Sequence, residues 1–166
     1  MLMNFFDKST LPPDWKILRF GDFLNPIIRK FQMKGDVEYQ ICGVRWYGNG
    51  VFVREKKFGH EVKQKTKYTL KKGDVVYNKL FAWRGSFAIV DDNTHGCCVS
   101  NEFPTYQLDT SAVLSEYLHY YFQIQHIQNN AAVLSKGASA NSRFRLHPRN
   151  FTKLELPVPP TLDEQY

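Results

Sequence analysis

The feature that most constrains this chain is a change of hydrophobic period at Asp109-Thr110-Ser111. Before it, from Tyr39 to Leu108, short β-branched and aromatic runs alternate with turn signals at Gly48-Asn49-Gly50, Lys71-Lys72-Gly73-Asp74 and Asp91-Asp92-Asn93-Thr94-His95-Gly96. That is the pattern of short strands joined by tight turns. It predicts strands at Val75 to Leu80, Ser86 to Val90, Cys97 to Ser100 and Phe103 to Leu108. After it, Val113, Leu114, Tyr117, Leu118, Tyr121, Phe122 and Ile127 recur at helical spacing behind a run of capping residues. One helix from about Ala112 to about Ser135, ended by Gly137, is the expectation. Strands followed by helix give an α+β class, and no fixed period suggests a solenoid.

The flanks carry further signals. Leu11-Pro12-Pro13-Asp14 is a rigid start, followed by a β-prone run from Trp15 to Phe20 and a Gly21-Asp22 break. Towards the other end, Ala138 to Asn150 reads as a polar, basic loop. In Lys153 to Val158 the alternation of Leu154, Leu156 and Val158 predicts a half-buried strand. Thr161 and Glu164 then stand three apart, as in the capping box of a new helix, and the chain ends two residues later at Tyr166. The expectation is a helix cut short.

With 166 residues, 43% hydrophobic and 15% aromatic, a single domain can bury roughly 70% of its unfolded surface. No run of about 18 apolar residues occurs, and Met-Leu-Met-Asn-Phe-Phe-Asp lacks the basic region and cleavage site of a signal peptide. The expectation is a soluble, cytoplasmic protein with no membrane contact. Cys42, Cys97 and Cys98 form neither an even framework nor a CxxC pair, and read as reduced, mostly buried thiols.

The net charge of +6 is unevenly spread: residues 1–85 carry 17 basic and 8 acidic side chains, residues 86–166 carry 5 and 8. The densest part lies between Arg54 and Lys72. There Arg54, Lys56, Lys57, Lys63, Lys65, Lys67, Lys71 and Lys72 face only Glu55 and Glu61. Two readings stand: a solvated lysine-rich loop that guards strand edges, or a phosphate-binding surface.

Enzymatic candidates fail for simple reasons. Asp14 with Glu55-Lys56-Lys57 imitates the acidic and lysine elements of a metal-dependent nuclease, but acid-x-Lys recurs at Asp14-Trp15-Lys16 and Glu61-Val62-Lys63. Three matches in one basic chain are noise. His119 and His126, seven apart, lack the spacing of zinc ligands on a helix and read as surface or packing residues. The sequence holds no Gly-rich phosphate loop, Gly-x-Ser-x-Gly or His-Glu-x-x-His, and no cofactor loop of a methyltransferase.

A binding surface remains. Three stretches combine cation, planar ring and short amide or hydroxyl, the set that touches phosphates and base edges: Arg45-Trp46-Tyr47-Gly48-Asn49, Asn78 to Ser86 with Lys79, Trp83 and Arg84, and Ser139 to Arg145 with Asn141 and Arg143. Against them, Trp46 and Trp83 could be core, and Arg84 could pair with an acid such as Glu102.

Leu11-Pro12-Pro13-Asp14-Trp15-Lys16 leading to Phe20-Gly21-Asp22-Phe23, the central Gly73-Asp74-Val75-Val76-Tyr77-Asn78-Lys79 with Ala82-Trp83-Arg84-Gly85, and the exit Leu156-Pro157-Val158-Pro159-Pro160-Thr161-Leu162-Asp163-Glu164-Gln165 come in that order. Together they resemble a target recognition domain of a type I restriction-modification specificity subunit. The exit motif is the most specific part, marking where such a domain hands over to a conserved spacer helix.

The resemblance implies an α+β fold, a β-rich, partly coiled body followed by a long helix, Ala112 to Ser135, as first arm of a helical hairpin, with the recognition domain over residues 1–158 and residues 159–166 starting the spacer. It implies that Leu118, Tyr121 and Phe122 stay partly exposed without the second arm. It implies a non-catalytic subunit that reads double-stranded DNA for modification (methyltransferase) subunits carrying S-adenosylmethionine and a restriction subunit using ATP, with no cofactor in this chain. The family's base-reading residues differ from target to target, so none carries over; from the three stretches above, the expected DNA contacts are Arg45, Lys79, Trp83, Arg84, Ser139, Asn141, Arg143 and Arg145. Lys63 and Lys65, with Lys56, Lys57 and Lys67, are expected on the phosphate side. The runner-up is a general RNA or single-stranded nucleic-acid-binding β domain that stacks bases on Trp46, Tyr47 and Trp83.

Overall fold

Val75, Val76 and Tyr77 are all fully buried, which consecutive strand residues manage only when both faces of their sheet are covered. The computed structural model, which describes residues 6–135 and 144–166, shows how. The chain runs β1 (Lys16–Arg19), α1 (Phe20–Phe23), β2 (Leu24–Pro26), β3 (Lys30–Gln32), β4 (Glu38–Val44), β5 (Val51–Phe58), β6 (Thr66–Thr69), β7 (Val75–Tyr77), β8 (Phe87–Ile89), β9 (Cys98–Val99), β10 (Thr105–Leu108), α2 (Ser115–Phe122), α3 (Gln125–Leu134), α4 (Pro148–Phe151) and β11 (Glu155–Val158).

β7 sits in a four-stranded sheet ordered β2-β10-β7-β8. On one face Val75 and Tyr77 join Phe20, Phe87, Tyr106, Phe122 and Phe151. On the other, Val76 and Ala88 meet Cys42, Val44, Leu70, Cys97 and Val99, which belong mainly to a five-stranded sheet ordered β3-β6-β9-β4-β5 and its flanks. The middle sheet therefore divides two cores. The aromatic core is held by ring contacts, with Tyr77 stacked on Phe151 at 4.1 Å and the Tyr77 hydroxyl donating to the Leu146 carbonyl at 2.8 Å. Burial raises the Tyr77 phenol far above its usual range and pushes that of Tyr106 up to about 12.

β1 and β11 pair antiparallel from Lys16↔Val158 to Arg19↔Glu155. β11 is buried at every position rather than half-buried as its alternation suggested. It is joined to α2, whose Tyr117 and Tyr121 hydroxyls donate to the Pro157 and Glu155 carbonyls at 2.6 Å each. Beyond β11, Thr161 Oγ1 lies 2.8 Å from Glu164 Oε1, and Asp163–Gln165 form one 3-10 turn.

Three expectations are corrected. The helical stretch is two helices, broken at Gln123 and Ile124, and it begins at Ser115 because Asp109 spends its carboxylate on the Ser111 amide and hydroxyl. Leu118, Tyr121 and Phe122 are buried, since they pack into the aromatic core on the middle sheet and need no second arm to cover them. The cysteines are not three free thiols. Parallel pairing of β4 with β9 at Ile41↔Cys98 brings Cys42 beside Cys97, and the two form a disulfide with Cα atoms 6.1 Å apart. Alternation along the strand turns Cys98 to the opposite face, where it stays free and buried and its thiol is pushed up by desolvation.

Candidate nucleic-acid interface

The β4–β5 hairpin turns through Tyr47 (φ 60°) and Gly48 (φ 67°), a left-handed conformation that a tyrosine adopts only at a cost of order 1–3 kcal/mol. The turn is held because it docks on a second one. The Tyr47 amide donates to the Arg84 carbonyl and the Gly48 amide to the Gly85 carbonyl, each at 2.9 Å. Gly48 is obligatory, since a Cβ there would lie 2.7 Å from the Phe122 backbone. The Ala82–Arg84 turn is in turn fixed by Gly85 (φ 73°) and by Trp83 Nε1 donating to the Leu80 carbonyl at 3.0 Å.

Two stretches separate in sequence thus form one patch. The Trp46 ring lies 5.6 Å from that of Phe81 and 6.3 Å edge-on from Tyr47. The Arg84 guanidinium sits 4.8 Å from the Trp46 ring and 4.5 Å from that of Trp83. Trp46, Tyr47 and Phe81 are 41%, 46% and 37% exposed, so Trp46 is no core residue, whereas Trp83 is half-buried. Arg45, exposed at the rim, lies over the Phe52 ring and donates to the Val51 carbonyl at 3.3 Å.

The third stretch reaches the same patch through its described end. Leu146 donates to the Lys79 carbonyl and the Lys79 amide to the Glu102 carbonyl, both at 3.0 Å, while Arg145 pairs with the Glu102 carboxylate at 3.3 Å. Glu102 therefore serves Arg145, not Arg84. Ser139, Asn141 and Arg143 lie outside the described residues. Phe81, inside the second stretch, is the member that sequence reasoning did not single out; Gly48 and Gly85 were read within their stretches, and their contact with each other was not.

The lysine-rich stretch lies elsewhere. It forms β5, the turn after it and β6, and β5 is the outer strand of its sheet. The hairpin ladder runs from Val44↔Val51 at the turn to Glu38↔Phe58 at the far end, so Lys63 and Lys65 are roughly 20 Å along the strand from the aromatic patch. Several of its charges are spent. Glu55 holds Arg54 and Lys57, Asp92 holds Lys72, and Lys65 donates to the Gly59 carbonyl. Lys67, expected to face phosphate, is buried on a central strand, where desolvation lowers its pKa. Lys56 and Lys63 are exposed.

Among the described residues no group of three or more His, Cys, Asp or Glu could hold a metal ion, and no helix is long and apolar enough to cross a membrane. His126 packs on Phe6 at 4.2 Å with its pKa lowered by burial, and His119 contacts Tyr120 and Gln123. Both histidines serve packing or surface contacts.

Residues 12–166 match the sequence profile of the type I restriction modification DNA specificity domain. The chain belongs to this family. It is a target recognition domain of the type I specificity class, with 26% identity over 117 residues to the type I restriction enzyme HindI specificity subunit of Haemophilus influenzae, covering 63% of this chain and 23% of that protein. The fold is that of the HsdS subunit from Thermoanaerobacter tengcongensis, at TM-score 0.72 and 17% identity over 93% of this chain and 40% of that one. It is also that of the type I S subunit from M. genitalium, at TM-score 0.56 and 11% identity over 97% and 38%. The specificity domain here thus spans about a quarter of the curated relative and two fifths of the structural ones.

Proposed function

We propose that this specificity domain reads one part of a double-stranded DNA target and supplies that specificity, without catalysis of its own, to a type I restriction-modification complex. The observation that carries the reading is the convergence of two sequence-distant turns into one face of ring and guanidinium at Trp46, Tyr47, Phe81 and Arg84, to which Lys79 is joined along the chain and Arg145 through Glu102. Cation, aromatic face and amide on a rigid support are what groove walls and base edges require. Arg45 and Trp83 belong to the same face, and Ser139, Asn141 and Arg143 precede Arg145 in the sequence. The exposed Lys56 and Lys63, at the far end of the β4–β5 hairpin, supply phosphate attraction.

Residues 1–158 form the recognition domain and 159–166 begin the segment that hands over to the rest of the subunit. Its partners are modification subunits, which bring S-adenosylmethionine, and through the complex a restriction subunit using ATP, all in the cytoplasm. The test is duplex binding by the full-length subunit assembled with its modification partners. A preference for one duplex sequence over random duplex of 10³-fold or more, on the order expected for specific DNA binding, supports the proposal. Equal or tighter binding to RNA or single strands, irrespective of sequence, refutes it and favours a stacking module.

A further inference from the structure

Arg84 is held by two aromatic rings rather than by an acid. Arg29 is paired with Asp74, Arg54 with Glu55 and Arg145 with Glu102. Arg84 forms none of the salt bridges found among the described residues. Its guanidinium lies between the Trp46 and Trp83 rings, its Nη1 is 3.5 Å from the Tyr47 hydroxyl, and its Nε is buried with no hydrogen-bond partner. An unanswered buried N–H on a cation lacking a counter-ion weakens the fold, and two cation–π contacts offset only part of that.

The support beneath it carries cost as well. Tyr47 is held at positive φ, and the turn fits only because position 48 is glycine. A fold that sets a half-buried guanidinium against two rings on such a base gains a planar fork whose orientation is set before any ligand arrives.

We propose that Arg84 is a specificity-determining residue that reads a guanine in the DNA target, with Trp46 and Trp83 as its positioning residues. The proposal rests on the DNA-reading function above and names one of its readers. A guanidinium fork matches the two acceptors, O6 and N7, that guanine shows in the major groove. A phosphate contact needs charge but little orientation, and mobile lysines such as Lys56 and Lys63 suffice for it. Among the described residues no acid forms a salt bridge with Arg84, so no ion pair accounts for the cation. Exposed Tyr47 and Phe81 flank the fork as apolar walls.

The experiment maps the methylated sequence of the full-length subunit in its assembled complex, for wild type, Arg84→Ala, Arg84→Gln, Trp46→Leu and Trp46→Phe. Arg84→Ala should relax a single base pair that is G·C in the wild-type motif, lowering discrimination there by roughly 5- to 150-fold, while the other positions stay fixed. Retention of the other positions shows that the domain is folded, and Arg84→Gln carries the readout if the alanine variant does not fold. Trp46→Leu should relax the same base pair and no other, and Trp46→Phe should restore it. Loss of methylation at all sequences equally, with unchanged melting temperature, assigns a phosphate contact and overturns the proposal. So does an unaltered motif, or one with no guanine on either strand of this domain's half. Replacement of the whole domain separates the two levels: if that leaves the motif unchanged, the DNA-reading function itself fails.

Discussion

Gln165 is the residue on which the end of this domain depends. Its side chain is buried, with Oε1 accepting from the Leu114 amide at 2.8 Å and Nε2 donating to the Ala112 carbonyl at 3.1 Å. Both backbone groups lie at the start of α2, where the helix leaves amides without an intrahelical partner. Gln165→Ala strips two part-buried backbone groups of their partners at once. At about 1–3 kcal/mol for each fully buried group and less for a partly buried one, the loss is about 2–4 kcal/mol. For a domain of this size that lowers the melting temperature by about 5–12 °C. Thermal unfolding followed by near-ultraviolet circular dichroism reads the global effect, and hydrogen exchange at Leu114 the local one. Gln165→Glu is a sharper probe. It keeps the acceptor and loses the donor at neutral pH, so its deficit relative to wild type should shrink as pH falls and the carboxyl gains a proton to donate. A Gln165→Ala protein melting within about 1 °C of wild type, with Leu114 exchange unchanged, would refute this reasoning.

Further consequences follow from the same geometry. Gly48→Ala must place a Cβ against the Phe122 backbone at positive φ and should cost about 2–4 kcal/mol, seen as a lower urea midpoint. Asp74→Ala removes a carboxylate that holds Arg29 and the Lys71 amide; because Arg29 keeps some solvent contact, the loss should be about 2–3 kcal/mol rather than the full cost of a buried broken pair. His126 has its pKa lowered by burial, so the fold favours its neutral form. Its contribution is present above the ordinary histidine pKa of about 6.5 and is lost as pH falls below it. His126→Gln should therefore flatten the decline in melting temperature between pH 7 and pH 5.

The tight turns were legible because glycine and asparagine announce them, and Gly48, Gly73 and Gly96 do sit at positive φ. β7, β8, β9 and β10 fall inside the runs predicted for them, each trimmed at its ends. The two longest strands, β4 and β5, were not singled out. Most of β5 fell in the basic stretch from Arg54 onward, because it is an edge strand with one face in water. The helix break at Gln123 and Ile124 has no glycine or proline to mark it and follows from packing on the middle sheet. The disulfide was hidden for a different reason: a pair 55 residues apart becomes adjacent only through the parallel register of β4 and β9. At the candidate interface the residue types were readable and their assembly was not. Which lysines are spent on Glu55, Asp92 or burial depends on register, as does the transfer of Glu102 to Arg145.

Side-chain oxidation by hydroxyl radicals, on the assembled complex with and without its target duplex, tests the central claim most directly. Trp46, Tyr47 and Phe81 are exposed in the free domain, as is Tyr120 on α2. The account predicts that the duplex protects Trp46, Tyr47 and Phe81 and leaves Tyr120 as reactive as before. Protection of Tyr120 with Trp46, Tyr47 and Phe81 unprotected would contradict it.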